Sequence, residues 1–199
     1  KVRQNFIIDD FDGIRKIPGG LGVPESDSSR YLGKPYALAL SPVPGFKSWA
    51  EYFVSDVRSH IDKFGVQLNV VSAYDSYKKG LFNDLILFAF EHAKDITRVW
   101  TRVAGSKKAE DFVPIQVVCE SCTQMLSTKV VEWNGKTVSY ECTACNHHGS
   151  VSPLNGNAKL HWRVHWVAHW ILYDVDFESG GKDHFSKGGS VDVGRALMV

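Results

Sequence analysis

Four cysteines form the clearest chemical pattern in the sequence. They occur as two pairs, Cys119-x2-Cys122 and Cys142-x2-Cys145, with nineteen residues between the pairs. Each pair can present two thiolates to one side of a tetrahedral ion, so the spacing predicts a structural zinc site. Two disulfides, a redox pair or an iron–sulfur cluster are alternatives, although nothing else in the sequence indicates an oxidising compartment. Four thiolates leave no coordination position open, and we therefore assign no catalysis to them.

The segment between the cysteine pairs has the pattern of a β-hairpin. Residues 128–133 and 136–140 are rich in β-forming side chains, and Asn134-Gly135 between them is a strong two-residue turn signal. Two C-x2-C pairs on a short hairpin predict a zinc ribbon, in which one Zn²⁺ per chain folds a small insertion. We expect His147 and His148, which follow the last pair, to be solvated loop residues.

A second group of candidate ligand-binding residues lies in the sequence Gly180-Gly181-Lys182-Asp183-His184. The glycine pair lets the backbone approach a ligand closely, and the Asp183 carboxylate can accept hydrogen bonds from ribose hydroxyls. The pattern predicts a nucleotide-binding turn after a short strand. An ordinary connecting turn, in which the glycines serve only backbone geometry, is the alternative.

Two acidic residues, Asp9 and Asp10, follow the strand that residues 6–8 predict. A carboxylate at a strand end can pair with an ammonium group or with a ribose hydroxyl. It can equally cap the segment that follows, and the sequence leaves both roles open.

The helix predicted after residue 159 carries two stripes of side chains that recur every four residues. One stripe is histidine and the other is tryptophan: His161, His165 and His169, with Trp162, Trp166 and Trp170. A histidine stripe can bind metal, but the HExxH motif of zinc proteases is absent. We expect the tryptophans to face the core and the histidines to face solvent or a cleft.

The remaining pattern alternates strands and helices. Strands are predicted over residues 6–8, 66–71 and 112–118, helices over 46–64 and 81–103, and a turn region over 74–80. After the insertion come the striped helix, a short strand, the glycine-rich turn and a helix that opens after Gly188-Gly189. This order indicates an α/β fold with a mostly parallel sheet. Residues 1–111 and 154–199 would form two parts of one domain, and residues 112–153 the inserted ribbon.

Composition limits the function classes. The chain has 199 residues, of which 44% are hydrophobic, and a net charge of +1. A core can therefore form, and a nucleic-acid partner would need a local basic patch. No apolar run approaches the ~20 residues of a membrane helix, and the N-terminus does not resemble a secretory signal. The pattern begins and ends abruptly, so we expect a fragment of a longer protein.

Several segments, in order along nearly the whole chain, resemble the catalytic domain of class I lysyl-tRNA synthetases. They are IDDFDGIRKIP (8–18), YLGKP (31–35), YKKGLF (77–82), the cysteine pairs, GNAKLHWRVHW (156–166) and VDFESGGKDHFSKGGSVDVG (175–194). The resemblance implies a Rossmann-like nucleotide-binding fold and a lysine–tRNA ligase of the cytoplasm. Its substrates would be lysine, ATP with Mg²⁺, and tRNA(Lys).

The resemblance also implies roles for particular residues. Trp162 and His184 would line the lysine pocket, with Asp9 and Asp10 as further candidates, while Gly180, Gly181 and Asp183 would hold the ATP ribose. A basic group near the end of the long helix could contact tRNA phosphates, or form a solvated helix end, which we favour. That group comprises Arg98, Arg102, Lys107 and Lys108, with Lys78 and Lys79 nearby.

Two departures from the family pattern affect the predicted function. The HIGH-like and KMSKS-like motifs of class I synthetases are absent, so catalytic residues stay unassigned and we expect no aminoacylation by these residues alone. The family usually has Asp in the middle of WRVDW and Pro after it, where this chain has His165 and Val167. A non-catalytic synthetase-like protein that binds nucleotide, lysine or RNA is therefore the alternative. We expect a monomer.

Overall fold

The computed structural model describes residues 3–105 and 112–198, and the predicted basic residues Lys107 and Lys108 lie outside them. The described residues contain both β-strands and α-helices, most of the helices before and after a central run of strands. The bounds are β1 Asn5–Ile8, α1 Trp49–Ile61, β2 Asn69–Ser72, α2 Ala73–Lys78, α3 Asn83–Glu91, α4 Ala93–Ala104, β3 Ile115–Val117, β4 Thr128–Trp133, β5 Val138–Cys142, β6 His147–Val151, β7 Ala158–Leu160, α5 Trp162–Tyr173 and α6 Ser190–Leu197.

The strands form three small sheets. Strands β1 and β2 pair in parallel, with Phe6 opposite Val70, and the connection between them contains α1. Strands β3 and β7 pair antiparallel, and β4, β5 and β6 form an antiparallel sheet. The prediction of an α/β fold is confirmed, but the described residues do not form the mostly parallel sheet that we expected. A parallel pair needs a long crossover, whereas β3 and β7 flank the ribbon, where the chain leaves and returns in opposite directions.

Local structure differs from the sequence prediction at three places. The predicted long helix is two helices, because His92 has non-helical backbone angles between α3 and α4. The predicted turn region at 74–80 is largely helix α2, which begins where the Ser72 side chain accepts a hydrogen bond from the backbone N–H of Asp75. Helix α5 ends at Tyr173, followed by Asp174 in the left-handed conformation, and residues 175–189 contain no strand.

The ribbon and the main body share one hydrophobic core. Buried residues of α2 and α3, such as Tyr77 and Ile86, belong to the same cluster as Val138 and Tyr140 of the ribbon. The rings of Phe90 and Trp133 stack with centroids 4.2 Å apart, and such a pair contributes about 0.5–1.5 kcal/mol beyond its buried area. The ribbon is therefore fixed to the main body by packing as well as by the chain connections.

A backbone contact near Gly33 provides a second attachment of the ribbon. Gln124 donates from its side-chain amide to the backbone oxygen of Leu32 at 2.6 Å, and Met125 N–H donates to the oxygen of Gly33. Gly33 has a positive φ of 82°, and a side chain there would meet the Gln124 amide. Glycine is needed at this position both for its backbone conformation and for the close approach.

Across residues 3–105 and 112–198, no helix combines the length and the apolar character that crossing a membrane requires.

Candidate functional site

An open cavity of about 690 Å³ lies among the end of β1, one face of α5 and the glycine-rich segment after α5. Most of the side chains that line it are polar or aromatic. They are Asp9, Asp12, Arg15, Trp162, His165, Trp166, His169, Glu178 and His184, together with Ile7, Ser179, Gly180 and Gly181. The structure thus brings Trp162, His184, Asp9 and the glycine pair to one cavity.

Asp9 and Asp10 point in different directions from the end of β1. Asp9 lines the cavity, with its side chain 61% exposed and its Oδ1 3.2 Å from Nε2 of His165. Asp10 is buried and accepts hydrogen bonds from Ser72 Oγ at 2.6 Å and from the Tyr74 N–H at 2.8 Å. Burial raises the pKa of Asp10 above its usual value, although these two hydrogen bonds lower it. Asp10 therefore connects β1 to α2 and does not line the cavity.

Helix α5 turns its histidines inward. His165 and His169 are only 3% and 5% exposed, and both line the cavity, whereas Trp162 and Trp166 are half-buried on its wall. The expectation that the tryptophans face the core was therefore wrong, and the expected cleft-facing histidines occur at His165 and His169. The two stripes are adjacent on one helix, and tertiary packing decides which of them is covered.

Burial controls the charge of the two histidines. Nδ1 of His165 is 2.9 Å from the hydroxyl of Tyr77, and burial lowers the pKa of His165 well below its usual value. Burial, together with the neighbouring His165, lowers the pKa of His169 to about 2. Both rings are therefore neutral near pH 7.

Glu178 attaches the glycine-rich segment to α5. Its carboxylate accepts hydrogen bonds from the indole N–H groups of Trp166, at 2.7 Å, and Trp170. On the same wall, the His184 ring lies with its centroid 4.8 Å from that of Trp166. These contacts position the segment that carries Gly180 and Gly181 without a strand before it.

Of the residues predicted to bind the ribose, Asp183 is the one that does not line the cavity. Its side chain is 84% exposed, and it is absent from the lining of the cavity. It stays close to the glycine pair, because a side chain at Gly181 would meet Asp183 Oδ1. Asp183 is therefore beside Gly181 but outside the lining of the cavity.

Trp162 is held in place by an arginine on the same helix. The guanidinium carbon of Arg163 is 5.0 Å from the ring centroid of Trp162 and 5.1 Å from that of Trp100. Both distances are typical of cation–π contacts, so the guanidinium connects the cavity wall to α4.

The four cysteines converge in the ribbon as their spacing predicted. One sulfur atom from each lies within 4.8 Å of all the others, with 3.7 Å between Cys119 and Cys145 and 3.6 Å between Cys122 and Cys142. Tetrahedral thiolates around one zinc ion are ~3.8 Å apart, given a Zn–S distance of about 2.3 Å. All four thiols are free, so the donor set fits one zinc ion and the disulfide alternative is not what the structure contains.

His147 and His148 lie on strand β6 rather than in a loop. Nε2 of His147 is 2.9 Å from the carboxylate of Glu120, while the side chain of His148 is exposed. Neither histidine belongs to the four-sulfur cluster.

Comparison of the sequence with known proteins gives the family. The model of the family described as tRNA synthetases class I (K) matches residues 1–199. The chain belongs to this class I tRNA synthetase family. It is 36% identical over 191 residues to the lysine–tRNA ligase of Methanococcus maripaludis, an alignment that covers 95% of this chain and 35% of that protein.

Other relatives give the same result. Lysine–tRNA ligase 1 of Methanosarcina acetivorans is 35% identical, with 99% of this chain and 36% of that protein covered. The lysine–tRNA ligase of Pyrococcus horikoshii is 32% identical, with 100% of this chain and 38% of that protein covered. The chain thus spans about a third of the length of the curated relatives that it matches.

In this class I synthetase chain, sequence reasoning missed an ion pair beside the cavity in which only the lysine is fully buried. Lys159 of β7 is 0% exposed, and its ammonium pairs with the carboxylate of Asp12, which lines the cavity. A lysine between two apolar residues of a buried strand was the available signal, since a buried lysine requires a partner. Arg15 and Glu178 also line the cavity, and no sequence pattern singled them out.

Proposed function

We propose that this chain is part of the catalytic domain of a class I lysine–tRNA ligase of the cytoplasm. The proposal rests on one observation: Trp162, His184 and Asp9 line the same cavity as Gly180 and Gly181. An aminoacyl adenylate joins an amino acid to a nucleotide, so an enzyme that forms it needs adjoining sites for both. The family membership and the lysine–tRNA ligase relatives support the same function.

The lysine side chain would lie against Trp162. An indole face suits an aliphatic stem and attracts its ammonium group, and Arg163 holds this indole in place. Asp9 supplies the negative charge for an ammonium group of lysine, and His184 forms another part of the wall of the cavity. Asp10 takes a structural role, because Ser72 and Tyr74 occupy its carboxylate.

The nucleotide would lie at the glycine pair. Gly180 and Gly181 have no side chains to prevent close approach of a ribose, and Asp183 beside them can accept hydrogen bonds from its hydroxyls. ATP would enter with Mg²⁺ on its phosphates, and Arg15 adds a positive charge to the cavity lining.

The reaction would run in two steps. The lysine carboxylate attacks the α-phosphate of ATP, which releases pyrophosphate and leaves the adenylate. A hydroxyl of the terminal ribose of tRNA(Lys) then attacks the lysyl carbonyl, and AMP leaves. The residues described here would position the amino acid and the nucleoside for the first step.

The ribbon would have a structural role. We assign residues 112–153 as an inserted module between the two catalytic parts, 1–111 and 154–199, with one Zn²⁺ held by the four cysteines. The chain would act as a monomer.

Isothermal titration with a lysyl-adenylate analogue tests the proposal. We expect the analogue to bind more tightly than a norleucyl analogue, because norleucine has the same four-carbon side chain but lacks the terminal ammonium group. His184→Ala should weaken binding, whereas His148→Ala, on the exposed face of the ribbon, should leave it unchanged. No heat of binding from well-folded protein would refute the proposal.

A non-catalytic nucleotide-binding protein is the second candidate. It is favoured by His165, a neutral buried residue at the position where the family usually has Asp. In that case the protein would bind an ATP analogue, but it would bind the lysyl analogue no better than the norleucyl one.

A further inference from the structure

Three side chains at the inner end of the cavity offer metal ligands to one point. Asp9, His165 and His169 each contribute a donor atom, and these atoms all lie within 4.8 Å of one another. The rings of His165 and His169 are in contact, with centroids 4.0 Å apart. This group is separate from the four cysteines of the ribbon and includes residues from both β1's C-terminal end and α5.

The distances within the group suit a small divalent ion. At a metal–nitrogen or metal–oxygen distance of about 2.0–2.1 Å, two ligands of a tetrahedral ion are ~3.3 Å apart. Asp9 Oδ1 and His165 Nε2 are separated by 3.2 Å. Asp9 is more than half exposed, so its carboxylate can rotate toward a shared ion without disturbing the core.

His169 provides an independent indication of a ligand. Its Nε2 atom is buried and has no hydrogen-bond partner among the described residues, although the side chain lines the cavity. Leaving a buried polar atom unsatisfied is unfavourable, and an ion in the cavity would supply the missing partner.

The second ring nitrogen of His165 is already oriented. Its Nδ1 lies 2.9 Å from the hydroxyl of the buried Tyr77. Metal-binding histidines commonly use the other ring nitrogen in such a contact, which fixes the direction of the ligating nitrogen.

We propose that Asp9, His165 and His169 bind one divalent transition-metal ion at the inner end of the cavity. Two imidazoles and one carboxylate form a donor set that suits Zn²⁺, Co²⁺, Ni²⁺ or Fe²⁺, whereas Mg²⁺ and Ca²⁺ prefer oxygen ligands. Three protein ligands leave coordination positions open toward the cavity, unlike the closed four-thiolate site.

The residue at position 165 decides whether this site exists. Asp, which the family usually has there, would give two carboxylates and one imidazole, a set with less preference for transition metals. The site therefore depends on the presence of His165 in this chain. It goes beyond the proposed function, and metal binding can be measured without lysine, ATP or tRNA.

Titration of Co²⁺ into protein whose four cysteines already hold Zn²⁺ tests the proposal. We expect one Co²⁺ per chain to bind, with a spectrum that lacks the sulfur-to-cobalt charge-transfer absorption of a thiolate site. His169→Gln should raise the Kd for Co²⁺ at least about tenfold. Loss of a residue that only hydrogen-bonds to a metal-binding side chain already lowers metal affinity by about 10–100-fold, and His169 would bind the metal directly. Circular dichroism checks that the variant folds.

Two further variants make the test decisive. Asp9→Ala removes the carboxylate ligand from a side chain that is 61% exposed, and it should weaken Co²⁺ binding as strongly as His169→Gln does. His92→Gln, at the partly exposed junction of α3 and α4, should bind Co²⁺ as the wild type does. The proposal is overturned if the wild type binds no Co²⁺ outside the cysteines, or if Asp9→Ala and His169→Gln both bind it with unchanged affinity.

Competition distinguishes this proposal from the proposed function. Both use Asp9, so Co²⁺ should weaken binding of the lysyl-adenylate analogue to the wild type and have little effect on His169→Gln. If the analogue fails to bind at all, the proposed function fails, while the Co²⁺ titration still decides the metal site.

Discussion

Asp9 and Asp10, the neighbouring acids after β1, can be given the same substitution, and we expect its effect on ligand binding at one position and on stability at the other. Asp9→Asn and Asp10→Asn each replace one negative oxygen by an amide of the same shape. Asp9 lines the cavity and contacts His165, whereas Asp10 is buried and is held by Ser72 and Tyr74. We expect the first substitution to change lysine binding and the second to change the pH dependence of stability.

The expected loss of affinity follows from exposure. A hydrogen bond to a charged group contributes about 1.5–3 kcal/mol, and the Asp9 side chain is more than half exposed, so we expect solvent to reduce this to about 1–1.5 kcal/mol. That loss corresponds to a Kd about 5–12 times higher for the lysyl-adenylate analogue. Asp10→Asn should change the Kd by less than about twofold, because its carboxylate does not reach the cavity.

The sign of the stability effect follows from the pKa of Asp10. The folded-state pKa lies above the unfolded value of 3.8, because burial disfavours the charge. The resulting stability is present below pH 3.8 and is lost as the pH rises through the folded pKa. Asn at position 10 stays neutral at every pH, so the variant does not lose this stability. The free energy of unfolding of Asp10→Asn should therefore rise relative to that of the wild type as the pH increases through the same range.

Isothermal titration at pH 7 and urea denaturation from pH 3 to pH 7 measure the two effects. The free energy of unfolding of Asp9→Asn should be within about 0.5 kcal/mol of the wild-type value, since the amide oxygen can replace the carboxylate oxygen at His165. If a well-folded Asp10→Asn loses as much affinity as Asp9→Asn, or if Asp9→Asn binds like the wild type, the assignment of the two residues is wrong.

Other perturbations test the ribbon, the Lys159–Asp12 ion pair and the glycine contact. Cys145→Ser should remove the ribbon zinc, because one of four thiolates is lost, and unchanged zinc content by mass spectrometry would contradict the four-thiolate site. Asp12→Ala should lower the free energy of unfolding by about 1–3 kcal/mol, since the buried Lys159 charge loses its partner while the 44% exposure of Asp12 lets solvent reach the site. Lys159→Met should cost less, at most about 1 kcal/mol. Equal costs in urea denaturation would refute that asymmetry. Gly33→Ala should cost about 1–3 kcal/mol, because of its positive φ and its contact with the ribbon, while Gly19→Ala, in open space, should be nearly neutral. A neutral Gly33→Ala would contradict the contact.

Much of the ribbon could be predicted because its signals are local. The C-x2-C spacing fixes which sulfur atoms can meet, and Asn134-Gly135 fixes the turn between β4 and β5. Strand β6 was missed because His147 and His148 have no strong β pattern and join the sheet only by pairing with β5. Such strand pairing depends on the tertiary fold and not on a local sequence pattern.

The helical stripes show where periodicity stops being informative. A four-residue repeat places His165 with His169 and Trp166 with Trp170, but both stripes can be buried. The structure covers the histidines because Tyr77 and Phe82 pack against His165, while Glu178 holds the indoles. Long-range partners therefore decided which stripe faces inward.

The sequence alone determined the cysteine site, the hairpin and the synthetase motifs in their order, because each depends on residues that are close along the chain. Three other features depend on tertiary packing: Asp9 rather than Asp10 faces the cavity, Asp12 pairs with Lys159, and most of the strand pairs are antiparallel. Both acids follow the end of β1, where the backbone turns, and the turn directs the Asp9 side chain to the cavity and the Asp10 side chain to Ser72 and Tyr74. Which side is the cavity depends on elements more than a hundred residues away, and no local spacing records them.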